Sequence, residues 1–309
     1  SGYLSATRVK TAGGAVERDA SYVTDPEGRA TRITEHVSGQ TAVRDRTFDA
    51  RGRMRSETDG AGNRVAWTLD GASNVSRLEV EAGASAWALG YGYDGQNRVT
   101  TVTDQSAGNR LLASYAWRGD DQMERVTYGN GAVRQYGYDT GNRLTSVENS
   151  WTGGSERFDY GYDIGSNRKT EERRVNGQLS RSVAYKHDVE DRLVEAAYTT
   201  PAAGENTAVT RSVGYGYDSV GNRTREFGQD PSTGAALDRT TVYNDRNEPV
   251  TMTDAANAAA NTTFGHDLNG NLTSQLRGGV ETRYAYDGRD QMTRASRVEG
   301  GVETVLGDY

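Results

Sequence analysis

Polar and apolar positions alternate along this chain in short runs, and the same run keeps returning. Residues 136–147 read YGYDTGNRLTSV, and near-copies stand at 91–102 (YGYDGQNRVTTV), from 160 (YGYDIGSNRKT), from 215 (YGYDSVGNRT) and from 284 (YAYDGRDQMTRA). In the first of these, Tyr136, Gly137 and Tyr138 alternate with a period of two, which sends both rings to one face of a strand. Asp139 then opens a turn in which its side chain can cap nearby backbone N–H groups. Gly141 and Asn142 follow, the residue types that tolerate positive φ. Arg143, Leu144, Thr145, Ser146 and Val147 have the mixed branched and polar character of a returning strand. Each copy therefore predicts a β-hairpin. Leu144 and Val147 are three apart and cannot share a face of a regular strand, so either a bulge interrupts the strand or both faces of the sheet are partly covered.

Aligned on the aspartate, the copies are Tyr93-Asp94, Tyr138-Asp139, Tyr162-Asp163, His187-Asp188, Tyr217-Asp218, His266-Asp267 and Tyr286-Asp287. Neighbouring aspartates lie 24 (139 to 163), 25 (163 to 188), 30 (188 to 218) and 20 (267 to 287) residues apart. Degenerate copies fill the wider gaps at Trp117 (WRGDDQMERV) and Tyr243 (YNDRNEPVTM), and others precede them at Tyr22, Phe48 and Trp67. The expected organisation is one array over 1–309, roughly twelve hairpin units, cut from something longer. Only the stretch from Ala255 to Ala260 suggests a turn or two of helix, while TTPAAGENTA from Thr199 and QDPSTGAA from Gln229 read as extended hairpin loops. About two dozen strands exceed what an open twisted sheet carries without curling, so the sheet is expected to coil, with raw edges at its two ends.

Composition changes this picture little. Leu, Ile, Val and Phe make up only about 15% of the residues, a level that suggests disorder where net charge is high. The formal net charge here is −7 over 309 residues, and 18 Tyr and 4 Trp supply apolar area in register with the repeat. Thirty-eight glycines and 4 prolines suit hairpin turns and uninterrupted ladders. Without cysteine there is no disulfide framework, and mild acidity gives no electrostatic footprint for nucleic acid. No apolar run is long enough to form a membrane-spanning helix.

The recurring Y-x-Y-D, a short Gly/Asn turn and R-[LV]-T-x-V resemble the YD or RHS repeat of bacterial Rhs polymorphic toxins, wall-associated proteins, Tc-toxin shells and teneurin ectodomains. The resemblance runs from about Tyr22 to the end of the chain. It implies an all-β fold: tandem hairpins in a long antiparallel sheet that spirals into part of a hollow shell. It also implies that Tyr93, Asp94, Tyr138, Asp139, Gly141, Arg143, Tyr162, Asp163, Tyr217, Asp218, Gly221, Tyr286 and Asp287 are framework positions and that none is catalytic. The implied partners are the remaining repeats and C-terminal region of a parent polypeptide and a toxin cargo, in a secreted or cell-surface protein. No self-cleavage segment of the toxin members is found after Asp287.

Catalytic chemistry finds little support in the sequence. His36, His187 and His266 are scattered, and the last two stand at repeat positions, which makes zinc improbable. The run from Asp267 to Asn271 has the start of a calcium loop, but Gly278 occupies the place of its bidentate glutamate. Asp188, Glu190 and Asp191 could gather a cation, although turn carboxylates usually sit in water. Asn74, Asn222, Asn261 and Asn271 head glycosylation sequons, two of them created by the repeat turn. Neither a cofactor nor a metal is expected. The reading that follows is a non-enzymatic shell segment enclosing or presenting a polypeptide. The alternatives are an adhesion or glycan-binding module whose outward tyrosines stack on sugars, and self-association through open strand edges.

Overall fold

Two side chains per turn of strand facing opposite ways, and a reversal every ten or so residues, leave no room for helix. The computed structural model describes residues 5–10, 16–37, 40–201 and 208–309; the segment 202–207 of the TTPAAGENTA stretch lies outside them. Among the described residues there are 26 β-strands and two 3-10 turns, Gln105–Ala107 and Ala258–Ala260, and no α-helix. The alanine-rich stretch thus gives a single tight turn rather than a helix, held by an Asn261 N–H to Ala258 C=O bond of 3.1 Å. QDPSTGAA is a hairpin loop, with Asp230 N–H bonded to Ala235 C=O at 2.8 Å.

The chain divides into two compact units, residues 1–136 with 149–153, and residues 137–148 with 154–309. In the first, every strand from Ala6–Lys10 to Val133–Tyr138 pairs antiparallel with the next in sequence. In the second, the same holds from Gly154–Tyr162 to Val302–Asp308. The fold is all-β and antiparallel.

One register irregularity recurs after the YD turns. Tyr162 faces Arg168 while Gly161 faces Thr170, leaving Lys169 as an extra residue. Tyr217 and Gly216 face Arg223 and Arg225, and Tyr286 and Ala285 face Met292 and Arg294. A bulge at the sixth residue after the aspartate shifts the alternation by one, so the fifth and eighth residues come to one face. Leu193 and Ala196, or Met292 and Ala295, stand in the relation that made Leu144 and Val147 puzzling. The bulge residue is often a hydroxyl that bonds back across the ladder: Thr31, Ser76 and Thr293 donate to Val23, Thr68 and Ala285 C=O at 3.2, 3.1 and 3.2 Å.

The core is thin and built from small side chains, not from the tyrosines. Ala20, Ile33, Ala66, Ala88, Ala113 and Val126 are buried in the first unit, and Val183, Ala196, Val213, Leu237, Ala260 and Ala295 in the second. Several flank rings across the ladder, as in the row Tyr185, Ala196, Val213, Gly228. Tyr93, Tyr162, Tyr217 and Tyr286 are half-buried, and each turns its polar tip toward backbone.

Candidate functional site

The most elaborate local chemistry lies in the YD turns, and it is the same chemistry repeated. At Asp139, the backbone N–H donates to Arg143 C=O at 3.0 Å, and Asn142 N–H donates to Asp139 C=O at 3.1 Å. This is a three-residue hairpin loop closed by a left-handed residue. The Asp139 carboxylate accepts the N–H groups of Gly141 and Arg143, both at 2.9 Å, and Arg143 Nε at 2.8 Å. Asp94 does the same for Gln96 (2.9 Å) and Arg98 (3.0 Å), with Arg98 Nε at 2.8 Å. Asp163 takes Asn167 N–H at 2.9 Å, Asp218 takes Val220 and Asn222 N–H at 3.1 and 2.8 Å, and Asp287 takes Arg289 and Gln291 N–H at 2.8 and 3.0 Å. The backbone N–H of the fourth residue, first of all, holds the carboxyls of Asp94, Asp139, Asp163 and Asp188 below the ordinary aspartate value of 3.8, because hydrogen bonds to the charged form favour it.

The third residue after the aspartate carries the left-handed backbone. It is Gly221 (φ 93°) after Asp218 but Asn142 (φ 63°) after Asp139, Asn97 (64°) after Asp94 and Asp290 (60°) after Asp287. Gly141, expected to share this role, is one residue too early and does not have positive φ; it lies instead over the Asp139–Arg143 pair, where a Cβ would be 3.4 Å from Asp139 Oδ1.

The fourth residue links each turn to the next. Arg143 Nη1 reaches 3.1 Å to Asp163 C=O and 3.3 Å to Ser166 Oγ, and its guanidinium lies 4.9 Å from the centre of the Tyr162 ring. Arg53 reaches Asp70 C=O, Arg98 reaches Arg118 C=O and stacks on Trp117, and Arg192 reaches Asp218 C=O and stacks on Tyr217. Where asparagine replaces arginine, its amide donates to the left-handed residue of the following turn: Asn74 to Asn97, Asn167 to Asp191, Asn222 to Asn247 and Asn271 to Asp290, at 2.8, 2.7, 3.0 and 2.8 Å.

The aromatic residue before each aspartate completes the link in the other direction. Tyr93, Tyr162, Tyr217 and Tyr286 donate their hydroxyls to Val75, Leu144, Leu193 and Leu272 C=O at 2.8, 2.6, 2.8 and 3.1 Å. Trp117 Nε1 does the same to Val99 C=O at 2.7 Å. Each acceptor is the fifth residue after the preceding aspartate, the point where the bulge disturbs the ladder. Tyr138 is half-buried in the strand Val133–Tyr138. Burial pushes the phenols of Tyr93, Tyr160, Tyr185 and Tyr215 above their ordinary value.

The glycine of YGYD serves the opposite face. A Cβ at Gly92, Gly137 or Gly161 would fall 2.4 Å from the hydroxyl of Thr101, Ser146 or Thr170, the seventh residue after the aspartate. Where Thr47 holds the glycine place, its hydroxyl bonds the buried Ser56 at 2.7 Å. This pairing of glycine with a hydroxyl nine residues on was missed in the sequence, although Thr or Ser recurs there.

The remaining sequence-derived candidates fall into this scheme. His187 and His266 occupy the aromatic place before Asp188 and Asp267, and His36 Nδ1 lies 2.8 Å from Thr41 Oγ1. The Asp267 carboxylate is bound to Asn269 and Asn271 N–H and to the Asn271 amide. Glu190 and Asp188 both pair with Arg192 at 2.8 and 2.7 Å, and Asp191 receives Asn167. No group of three or more metal-ligating side chains occurs among the described residues. The sequon amides of Asn74, Asn222 and Asn271 are spent on the turn ladder, and Asn261 Oδ1 accepts Asp254 N–H at 2.7 Å.

A family model described as RHS Repeat matches residues 266–302, which hold the turns at Asp267 and Asp287. That stretch of the chain is similar to the RHS repeat. Its fold is similar to the crystal structure of TcdB2-TccC3-Cdc42, at 12% identity and a TM-score of 0.51, over 94% of this chain and 19% of that one. It is likewise similar to TcdB2-TccC3 without the hypervariable C-terminal region, at 12% identity and a TM-score of 0.50, over 98% of this chain and 20% of that one. The chain thus spans about a fifth of the length of the solved structures it matches. No curated protein matches it in sequence. No helix among the described residues is long and apolar enough to cross a membrane.

Proposed function

We propose that this RHS-repeat chain is a non-catalytic wall segment of a larger shell, and that in its parent polypeptide the shell encloses or presents a polypeptide cargo such as a toxin domain. The observation that carries this reading is the turn ladder. The charged and aromatic residues that would otherwise serve as a site are committed to tying each hairpin to its neighbour, at Asp139, Arg143 and Tyr162 as at Asp188, Arg192 and Tyr217. A wall needs such links, since a stacked hairpin gains its stability from neighbours rather than from a core of its own.

Tyr93, Tyr138, Tyr162, Tyr217 and Tyr286, the aspartates that follow them, Gly141, Gly221 and Arg143 are framework positions on this reading, and 1–309 is one stretch of a longer repeat array. Secretion or surface display suits a carrier of this kind. Stacking of tyrosines on sugars is disfavoured, because one face of the Tyr162 and Tyr217 rings carries a guanidinium at 4.9 Å. Electron microscopy of the full-length parent, with limited proteolysis, tests the proposal. A closed compartment with a protease-resistant segment inside is expected; a parent with no lumen, or with a fully cleavable interior segment, refutes it.

A further inference from the structure

Between one YD hairpin and the next, the backbone ladder stops short of the turns, and the tyrosine hydroxyl closes what is left of the seam. At Tyr217 the last pair is Glu195 with Gly214, and the hydroxyl spans beyond it to Leu193 C=O. Tyr243 spans to Arg223 C=O at 3.2 Å, beyond Arg225 with Thr240, and Tyr286 to Leu272 C=O, beyond Ser274 with Arg283. Histidine stands in this place twice, at His187 and His266, and neither makes the bond among the described residues. By the same offset, the carbonyls that a tyrosine there would serve are those of Arg168 and Pro249, the fifth residues after Asp163 and Asn244.

The seam at His266 has other deficits. Its ladder, between Pro249–Asp254 and Thr262–His266, consists of Thr251 opposite Thr263 and Met252 opposite Thr262, the shortest among the described ladders. The Tyr217 seam, by contrast, is paired from Glu195 with Gly214 to Pro201 with Ala208. Pro249 brings no N–H to the His266 seam. Beyond Met252 the chain leaves the sheet. The buried Asp254 carboxylate takes the N–H groups of Ala256 and Asn257 at 3.0 and 3.1 Å, and Asn261 Oδ1 takes Asp254 N–H, so side chains hold this loop in place of strand pairing. A cavity of about 390 Å³ runs along the seam, lined by Thr251, Thr253, Asn261, Thr262, Thr263 and Leu276, and a void there deprives both strands of packing atoms. His187 lacks the hydroxyl too, but its ladder runs from Thr170 with Ala184 to Val175 with Gln178, and Glu171 reaches Arg181 across it at 3.0 Å.

We propose that the seam between Pro249–Asp254 and Thr262–His266 is an opening line built into the sheet, which parts there before it parts at any tyrosine seam of the second unit. Arg246 Nη1, at 3.0 Å from Leu268 C=O, still ties the two turns at the rim, so the strands separate between fixed points. On the reading of the chain as a wall, this is the line at which the wall gives way to a passing polypeptide. That consequence rests on the wall reading, whereas the opening itself is a property of this chain alone.

Residue-resolved amide hydrogen exchange of the 309-residue chain tests this. Corrected for intrinsic rates, the amides bonded between Thr251–Met252 and Thr262–Thr263 should exchange roughly tenfold faster or more than those bonded between Ala196–Tyr198 and Arg211–Val213. His266→Tyr restores the residue of the other repeats and its reach to Pro249 C=O, and should slow the seam about fivefold, the worth of one hydrogen bond. His266→Phe supplies a ring without the hydroxyl and should slow it less. Conversely, Tyr286→Phe should speed exchange across the neighbouring seam of Ser274 and Arg283 about fivefold. Circular dichroism checks that each variant keeps its strands. Wild-type exchange at the His266 seam no faster than at the Tyr217 seam overturns the proposal. So does a folded His266→Tyr that leaves the rate unchanged, a His266→Phe that slows it as much as tyrosine does, or a Tyr286→Phe that leaves its own seam unmoved. None of these outcomes depends on a lumen in the parent, which electron microscopy tests separately.

Discussion

Removing the Arg143 side chain should loosen two turns at once. Its Nε holds Asp139 at 2.8 Å, its Nη1 holds Asp163 C=O at 3.1 Å, and its plane lies 4.9 Å from the centre of the Tyr162 ring. The side chain is 34% exposed, so the ion pair is screened and contributes about 0.5 kcal/mol. The bond to the Asp163 carbonyl adds about 1 kcal/mol and the ring contact about 0.5 kcal/mol. The sum for Arg143→Ala is about 2 kcal/mol, which corresponds to roughly thirtyfold in a local opening equilibrium at 1.4 kcal/mol per tenfold. Amide hydrogen exchange is the suitable assay, because global unfolding of a repeat array need not be two-state. Exchange of the Arg143 and Ser166 amides, which bond Asp139 Oδ1 and Asp163 C=O, should accelerate together. Arg143→Lys should recover only the ion pair, since an ammonium cannot serve the carboxylate, the carbonyl and the ring from one rigid fork. Unchanged exchange at Ser166 in Arg143→Ala, or full recovery by lysine, would refute the account of a guanidinium that bridges turns.

Four further outcomes follow from the same geometry. Tyr217→Phe, which deletes the 2.8 Å bond to Leu193 C=O but keeps the ring under Arg192, should cost about 1 kcal/mol in local exchange near Leu193. Gly129→Ala should destabilise by about 1 to 3 kcal/mol, because its Cβ would sit 1.9 Å from the backbone oxygen of Leu111; Gly161→Ala should cost less, since it meets only the rotatable Thr170 hydroxyl, and thermal melts rank the two. Val183→Ala, at a side chain 2% exposed, should cost about 2 kcal/mol by chemical denaturation. The turn aspartates have folded values below 3.8, so the unfolded chain binds protons first; their contribution is fully present above about pH 4 to 5 and is lost as pH falls through the depressed values. Acid titration followed by circular dichroism should therefore be flat from neutrality to that point and decline below it, and strand loss beginning near pH 6 would contradict the assignment.

Much of this arrangement is local and therefore legible along the chain. Period-two alternation through Tyr136, Gly137 and Tyr138 sets a strand, and Asp139 followed by a residue that accepts φ near 63° sets its reversal, all within a few bonds. The hairpin array, its antiparallel character and the absence of long helix could be read that way. The side of the turn on which positive φ falls could not be assigned to Asn142 rather than Gly141, because both residue types permit it and only the closing bonds from Asp139 to Arg143 choose between them.

What only the tertiary structure decided depends on register between segments some 20 residues apart. The bulge after each turn, which brings Leu193 and Ala196 to one face, the small-residue core around Val183 and Val213, the glycine of YGYD against Thr170, and the reach of Arg143 to Asp163 all require knowing which residue stands beside which. Sequence by itself determined that hairpins form and where they turn, since that is settled by side-chain alternation and turn dihedrals. The fold determined that tyrosine and arginine are the mortar between hairpins, since a contact between neighbouring turns exists only once the strands have paired.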